Sequence, residues 1–315
     1  MTQKNQFKPP WVDQIAPDGS YRSLFKWGNP AGFKHPNQGM VALLKEVFEI
    51  GDQDLAQPDN IGMEPFDFQP PFELDQEHLN AFISIIGQEN VDVSAYSRAR
   101  CSFGGSMVDS FRLRQHSIEN IPDAVLAPRS VEDIQAILAY CLANKIPLYV
   151  FGAGSGVTRG TEAVCRGVSL DMSKHMNRCL GFSEINQTIT VQAGMFGPVL
   201  EDLLNHAPEK FNASRSYTCG NFPQSFQYSS VGGWVVTRGA GQNSTYYGKI
   251  EDMVLSQTYV TPSGLLETPA YPRCATGPDF NQIMMGSDGC FGILTSVTLR
   301  IFRYMPENTR RFSFL

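Results

Sequence analysis

The sequence predicts an α+β fold, and three observations carry that reading. Short apolar runs closed by proline or glycine, such as "IPDAVLAP" and "TITVQAG", read as strands. Two stretches, "VEDIQAILAYCLAN" and "GPVLEDLLNHA", repeat their apolar residues at helical spacing. Strands follow one another both across helices and across tight turns, so βαβ-like and hairpin arrangements occur together.

In chain order, residues 1–75 are rich in proline, aspartate and aromatics. "WVDQIAPDGSYRSLFKWGNPAGFKHPNQG" reads as irregular structure with aromatic anchors. "MVALLKEVFEI" is a short helix candidate. "GDQDLAQPDNIGMEPFDFQPPFE" reads as an extended linker whose prolines and acids cannot build a core. "LDQEHLNAFISIIG" is helical, with Leu79, Phe82, Ile83 and Ile86 in register. After the strand "IPDAVLAP", Ser130 with Asp133 three residues on resembles a capping box. Val131, Ile134, Ile137, Leu138, Cys141 and Leu142 then form the helical stripe. "IPLYVFGAGSGVTRG" is a buried strand running into a glycine loop. "GVSLDMS", "CLGFSEI" and "TITVQAG" are strands, the last two joined at Asn186-Gln187. "GPVLEDLLNHA" puts Leu200, Leu203 and Leu204 on one face. "MVLSQTYVTPSGLLET" is a hairpin around Pro262-Ser263-Gly264, "DFNQIMMGSDG" a short helix, and "TSVTLRIF" a closing strand.

Composition narrows the function classes. The chain has 315 residues, 42% apolar and 18% charged, enough for a substantial core. Net charge is -6 and no long Lys/Arg block occurs, which argues against a nucleic-acid partner. No apolar stretch approaches the roughly 20 residues a membrane helix needs. The N-terminal "MTQKNQFKPPWVDQ" is not a secretory signal, and the final "SFL" is not an organelle address. Seven cysteines without CxxC spacing read as reduced, mostly buried thiols of a cytoplasmic protein. The histidines (His35, His78, His116, His175, His206) form no zinc motif, so no metal is expected.

The glycines pose the functional question. "GAGSGVTRG" follows a strand, as a dinucleotide-binding turn does, but no helical stripe follows it. A nest of backbone N–H groups for phosphate oxygens is one alternative, and a ligand-free surface turn is the other. "SVGGWVVTRGAG" and "GSDGCFGILTSVTL" interrupt two further apolar segments with glycine. Together the three suggest a long ligand lying along the backbone, or else three independent turns.

The segments "AVLAPRSVEDIQAILAYCLANKIPLYVFGAGSGVTRG", "YSSVGGWVVTRGAGQNSTYYGKIEDMV", "TPSGLLET" and "TGPDFNQIMMGSDGCFGILTSVTLRI" occur in this order. Over roughly residues 95 to 315 the chain resembles the FAD-binding flavoproteins of the vanillyl-alcohol-oxidase (PCMH-type) family, nearest to its alkyldihydroxyacetonephosphate synthase branch. "YRSLFKWGNP" resembles that family more loosely. The resemblance implies a two-subdomain FAD-binding domain at 95–305, after an N-terminal extension at 1–94. It implies that the strand end and loop Val150, Phe151, Gly152, Ala153, Gly154, Ser155 and Gly156 cradle the FAD pyrophosphate. Gln224, Ser225, Phe226, Gln227, Tyr228, Ser229 and Ser230 would line the cofactor's second side. Thr237, Arg238, Gly239 and Ala240 would close over the flavin. Ile250 and the run Asp288, Gly289, Cys290, Phe291, Gly292, Ile293 and Leu294 would contact the rest.

The chain departs from the family pattern in places. Ser155-Gly156 stands where Thr-Ser is frequent, and Asp288 and Cys290 where Glu and Thr are usual. No histidine lies between His116 and His175, so FAD is expected to be non-covalent. Other readings compete at several positions. Arg238 could pair with a carboxylate, Tyr246 and Tyr247 could be wall residues, and Cys290 a packed thiol. Glu251 and Asp252 fit a helix or strand terminus with solvated carboxylates better than an acid/base pair.

In the family a cap domain follows, and "RRFSFL" resembles its first strand, so 306–315 is expected to begin a truncated cap. The cap carries the substrate pocket and the catalytic groups, and no catalytic residue is assigned here. A truncated or split enzyme is favoured over a stand-alone domain. The resemblance implies acyl-for-alkyl exchange through a flavin adduct, in ether-lipid synthesis. Alternatives are an FAD-linked oxidase or dehydrogenase of a 2-hydroxy acid, and a non-catalytic flavin module that needs a partner chain. The expected substrate is a small or lipid-like molecule; a homodimer and peripheral membrane contact stay open.

Overall fold

The computed structural model describes residues 16–25, 38–56, 60–271 and 274–305. The expected cap start at 306–315 and most of the aromatic stretch before residue 38 lie outside these. The helices are α1 (Tyr21–Leu24), α2 (Gln38–Phe48), α3 (Asp52–Ala56), α4 (Gln76–Ile86), α5 (Ala95–Arg100), α6 (Met107–Arg114) and α7 (Val131–Asn144). They continue with α8 (Gly197–Asn205), α9 (Ala207–Phe211), α10 (Val231–Val236), α11 (Ser244–Tyr247), α12 (Ile250–Met253) and α13 (Phe280–Met284).

Two sheets organise the chain. The first contains β1 (Val91–Asp92), β2 (Ala124–Leu126), β3 (Leu148–Phe151) and β4 (Val168–Asp171) in the order β1-β2-β4-β3. Strands β2, β4 and β3 run parallel, and β1 is antiparallel to β2. The second is antiparallel: β5 (Cys179–Ser183), β6 (Thr188–Gln192), β8 (Val254–Thr261), β9 (Gly264–Glu267) and β10 (Ile293–Arg300), ordered β5-β6-β10-β8-β9. Strand β7 (Tyr217–Thr218) pairs with β11 (Phe302–Arg303).

The parallel sheet needs crossover α7 because parallel neighbours cannot be joined by a tight turn. Ser130 caps α7 by accepting the Asp133 N–H at 3.2 Å. The reciprocal half of the expected capping box is replaced: the Asp133 carboxylate takes Arg129 instead. Ile134 and Ile137 are fully buried against Leu126, Leu170, Phe82 and Ile86, each burial stabilising by about 1.5–3 kcal/mol. Thus α4 and β1, which precede residue 94, share this core with α7. A second core joins α8 and α10 to the antiparallel sheet through Leu200, Leu204, Trp234, Val235, Val191 and Val297.

Three expectations need correction. Strand β3 is not buried along its length: Leu148, Tyr149 and Val150 are half-exposed because β3 is the sheet edge. The supposed linker builds core: Phe66 and Phe68 pack on a cluster with Tyr21, Leu24, Phe103 and Leu113. Proline-rich extended chain forms few hydrogen bonds of its own, yet it can still lay aromatic rings on a neighbour. The cysteines are not mostly buried either, since Cys165, Cys274 and Cys290 are exposed.

Candidate functional site

Strand β3 ends at Phe151, and the glycine loop follows at once. It leaves from the carboxyl end of the parallel strands, where open α/β sheets place ligands. The loop, the residue after β4 (Met172), the residue after β6 (Ala193), α10 and the turn before β10 surround one cavity. It is open to solvent and holds about 660 Å³ of empty space, its open mouth included.

The opposite wall is α10, which starts "SVGGWVV". Ser230 caps it by accepting the Gly233 N–H at 3.2 Å. The Gly232 N–H donates to Ala193 O at 2.7 Å, seating the helix on the end of β6. A β-carbon at Gly152 would lie 2.3 Å from the Ser230 hydroxyl, so a side chain there would push that hydroxyl out of its capping position. Trp234 faces away from the cavity into the second core, its Nε1 donating to Ser229 Oγ at 2.7 Å.

The loop's own donors are its most informative feature. Among the described residues, no backbone N–H from Gly152 to Thr161 donates to a protein acceptor. Asp288, across from Gly160, is the one ionisable residue of the lining. Beside that one carboxylate, the wall offers backbone dipoles, the hydroxyls of Thr158, Thr161 and Ser230, and apolar side chains (Val150, Met172, Val236, Leu294).

The structure distributes the sequence-predicted residues unevenly. Val150, Gly152, Gly156, Ser230, Asp288, Gly289, Gly292 and Leu294 line the cavity. Ala153, Gly154 and Ser155 belong to the loop without lining it, and Phe151 packs on Cys101 and Val125. Gln224, Ser225, Phe226, Gln227 and Tyr228 lie outside the lining; Phe226 stacks on Trp234 and belongs to the second core. Thr237 bonds back to Gly233 O, Gly239 N–H donates to Trp234 O, and Ala240 is exposed. Ile250 is fully buried in the second core, and Ile293 in the first. Cys290 and Phe291 point to solvent, so Cys290 is not the packed thiol expected.

Among the described residues, Arg238 pairs with no carboxylate. Its guanidinium donates to Gln282 O at 2.6 Å and Met285 O at 3.2 Å, tying α10 to the end of α13. Glu251 and Asp252 open α12, as a helix terminus would. Glu251 is less solvated than expected, its side chain 13% exposed and 2.5 Å from Lys249.

Thr158, Thr161 and Val236, to which sequence reading assigns no site role, also line the cavity, as do Gly160, Gly232 and Gly233 of the glycine segments that suggest a ligand along the backbone. Met172 and Ala193 carried no local signal; only the strand order brings them here.

Comparison with known proteins gives this geometry a family. Residues 122–268 match the family described as FAD binding domain. Together with the fold, this gives the chain an FAD-binding domain over those residues, similar to that of alkyldihydroxyacetonephosphate synthases. Alkyldihydroxyacetonephosphate synthase of Trypanosoma brucei brucei is 31% identical over 246 residues, covering 76% of this chain and 38% of that protein. The synthase of Caenorhabditis elegans is 33% identical over 240 residues, covering 74% and 38%. A solved alkyldihydroxyacetonephosphate synthase superposes with a TM-score of 0.68 at 26% identity, covering 75% of this chain and 42% of the other. The chain spans about two fifths of the length of the curated relatives it matches.

The residues present fit FAD. A run of N–H groups without protein acceptors suits pyrophosphate oxygens. Glycines on both walls (Gly152, Gly156, Gly232 and Gly233) put no side chain into the cavity, and the apolar wall suits a ring system.

Proposed function

We propose that this chain is the FAD-binding part of a flavoenzyme like alkyldihydroxyacetonephosphate synthase, working in ether-lipid synthesis, and that it holds FAD non-covalently. The observation that carries the reading is the Gly152–Thr161 loop, whose N–H groups have no protein acceptor and which borders a cavity closed by Ser230 and α10. Bound FAD would supply a reactive isoalloxazine ring. The chain's own residues do the binding and orienting: the loop N–H groups take the pyrophosphate, and Val150, Met172, Val236 and Leu294 flank the rest. Non-covalent attachment is supported by the lining, which among the described residues holds no histidine, cysteine or tyrosine. The substrate is a small or lipid-like molecule met through a cap domain, and a net charge of -6 argues against nucleic acid. The protein is proposed to act in the cytoplasm.

The test is an exchange assay on the FAD-loaded protein, alone and with a cap-domain chain added, using acyl-dihydroxyacetone phosphate and a labelled fatty alcohol. Label in an alkyl product supports the proposal. Reduction of a dye by 2-hydroxy acids with no alkyl product would replace it with a dehydrogenase reading.

A further inference from the structure

The glycine loop is held from behind by a segment that precedes the family match at residue 122. Gly105 N–H donates to Gly156 O at 2.8 Å, and Thr161 Oγ1 to Ser102 O at 3.4 Å. Gly104 lies so close that a β-carbon there would stand 2.3 Å from Gly156 O. These contacts use carbonyls and side chains, and leave the loop N–H groups unengaged.

Just past the loop lies Glu162, a carboxylate only 7% exposed. Arg159 Nη2 donates to both its oxygens at 2.7 Å. Arg112 of α6 bonds it from the other side, and Asn120 Nδ2 donates at 3.4 Å. Arg112 is itself fixed: its guanidinium lies 4.9 Å from the Phe103 ring centre and 3.5 Å from Asp109 Oδ1. Asp109 is fully buried and completes the Ser106 capping box that starts α6.

Arg159 connects this cluster to the cavity. It stands between two lining residues, Thr158 and Gly160, with φ at +65°, a conformation that side-chain-bearing residues rarely adopt. Its side chain is 42% exposed, so packing alone does not hold it; the pair with Glu162 does. The geometry points to a tether: Arg112, Glu162 and Arg159 are positioning residues that hold the glycine loop, through α6, in the shape that binds the FAD pyrophosphate. This rests on the FAD reading above. An exposed i,i+3 ion pair is ordinarily worth little, but here the carboxylate is buried between two guanidiniums, and breaking such a cluster leaves a buried charge unpaired.

The test uses the whole chain with Arg159→Gln, Glu162→Gln and Arg112→Lys. FAD affinity is read from flavin fluorescence. Loop order is read in FAD-free protein from the rate of tryptic cleavage after Arg159. Removing preorganisation should weaken FAD binding about tenfold in Arg159→Gln and Glu162→Gln. Cleavage after Arg159 should quicken in Glu162→Gln, and Arg112→Lys, which keeps charge without the planar fork, should fall between. Arg159→Gln leaves the buried Arg112–Glu162 pair intact and so keeps the test open if Glu162→Gln fails to fold. Folded variants that bind FAD within about twofold of the parent, with cleavage unchanged, would overturn the tether and leave the FAD reading standing. A parent chain that takes up no FAD while Glu162→Gln still speeds cleavage would sink the FAD reading and keep the tether.

Discussion

A β-carbon on Gly152 would stand 2.3 Å from the Ser230 hydroxyl, so the loop after β3 and the residue before α10 meet at the cavity where a methyl group would displace the hydroxyl that caps α10. Residues 78 positions apart in the chain thus set the width of the site. Gly152→Ala should destabilise the protein by about 1–3 kcal/mol, the usual cost of overpacking, and should weaken FAD uptake. Adding Ser230→Gly should restore most of the affinity by removing the clash. Denaturant unfolding and flavin titration on the single and double variants check both statements.

Arg238 donates to the carbonyls of Gln282 and Met285 and lies outside the cavity lining. Arg238→Ala should therefore act on stability, by about 1 kcal/mol given its exposure. FAD affinity of the folded fraction should stay close to that of the parent. A large loss of affinity with unchanged stability would return Arg238 to the role of a cofactor contact.

Burial pushes the Glu162 carboxyl's pKa up, but hydrogen bonds and charge from Arg159 and Arg112 outweigh this and leave it below its ordinary value of 4.5. A carboxyl depressed on folding stabilises the folded state above its ordinary pKa, and that contribution fades as pH falls through the depressed value. The melting-temperature gap between the parent and Glu162→Gln should be full at neutral pH and narrow steadily below about 4.5. A gap independent of pH would mean that the charge on Glu162 is not what holds the cluster.

Phe66 comes from proline-rich chain, yet its ring centre lies 4.8 Å from that of Tyr21, tilted against it, and 6.0 Å from that of Tyr96, edge-on. Phe66→Ala should cost about 1–3 kcal/mol, below the full core value because the ring is half-buried. A melt that leaves Tm unchanged would restore the linker reading of that segment.

The longer helices and the hairpin were legible because their signals are local, whereas the short α1, α3, α5 and α6 were not. The stripe from Val131 to Leu142 needs only helical periodicity, and Pro262-Ser263-Gly264 marks its hairpin on its own. The glycine loop was legible for the same reason. Met172 and Ala193 were not, since each ends an ordinary strand and reaches the cavity only through strand order. Phe226 misled for the opposite reason. It lies next to Ser229 and Ser230 in sequence, but its ring stacks on Trp234 at 5.9 Å and turns into the core. The role of Arg112 was invisible because Glu162, its partner, is 50 residues away.

The central claim is that the cavity between the glycine loop and α10 binds FAD without a covalent bond. The visible absorption spectrum of the purified protein, taken after incubation with FAD and removal of free cofactor, tests it directly. The account predicts flavin bands on the protein that pass wholly into the filtrate after heat denaturation. A folded protein that stays colourless, or flavin that remains with the precipitated chain, would contradict it.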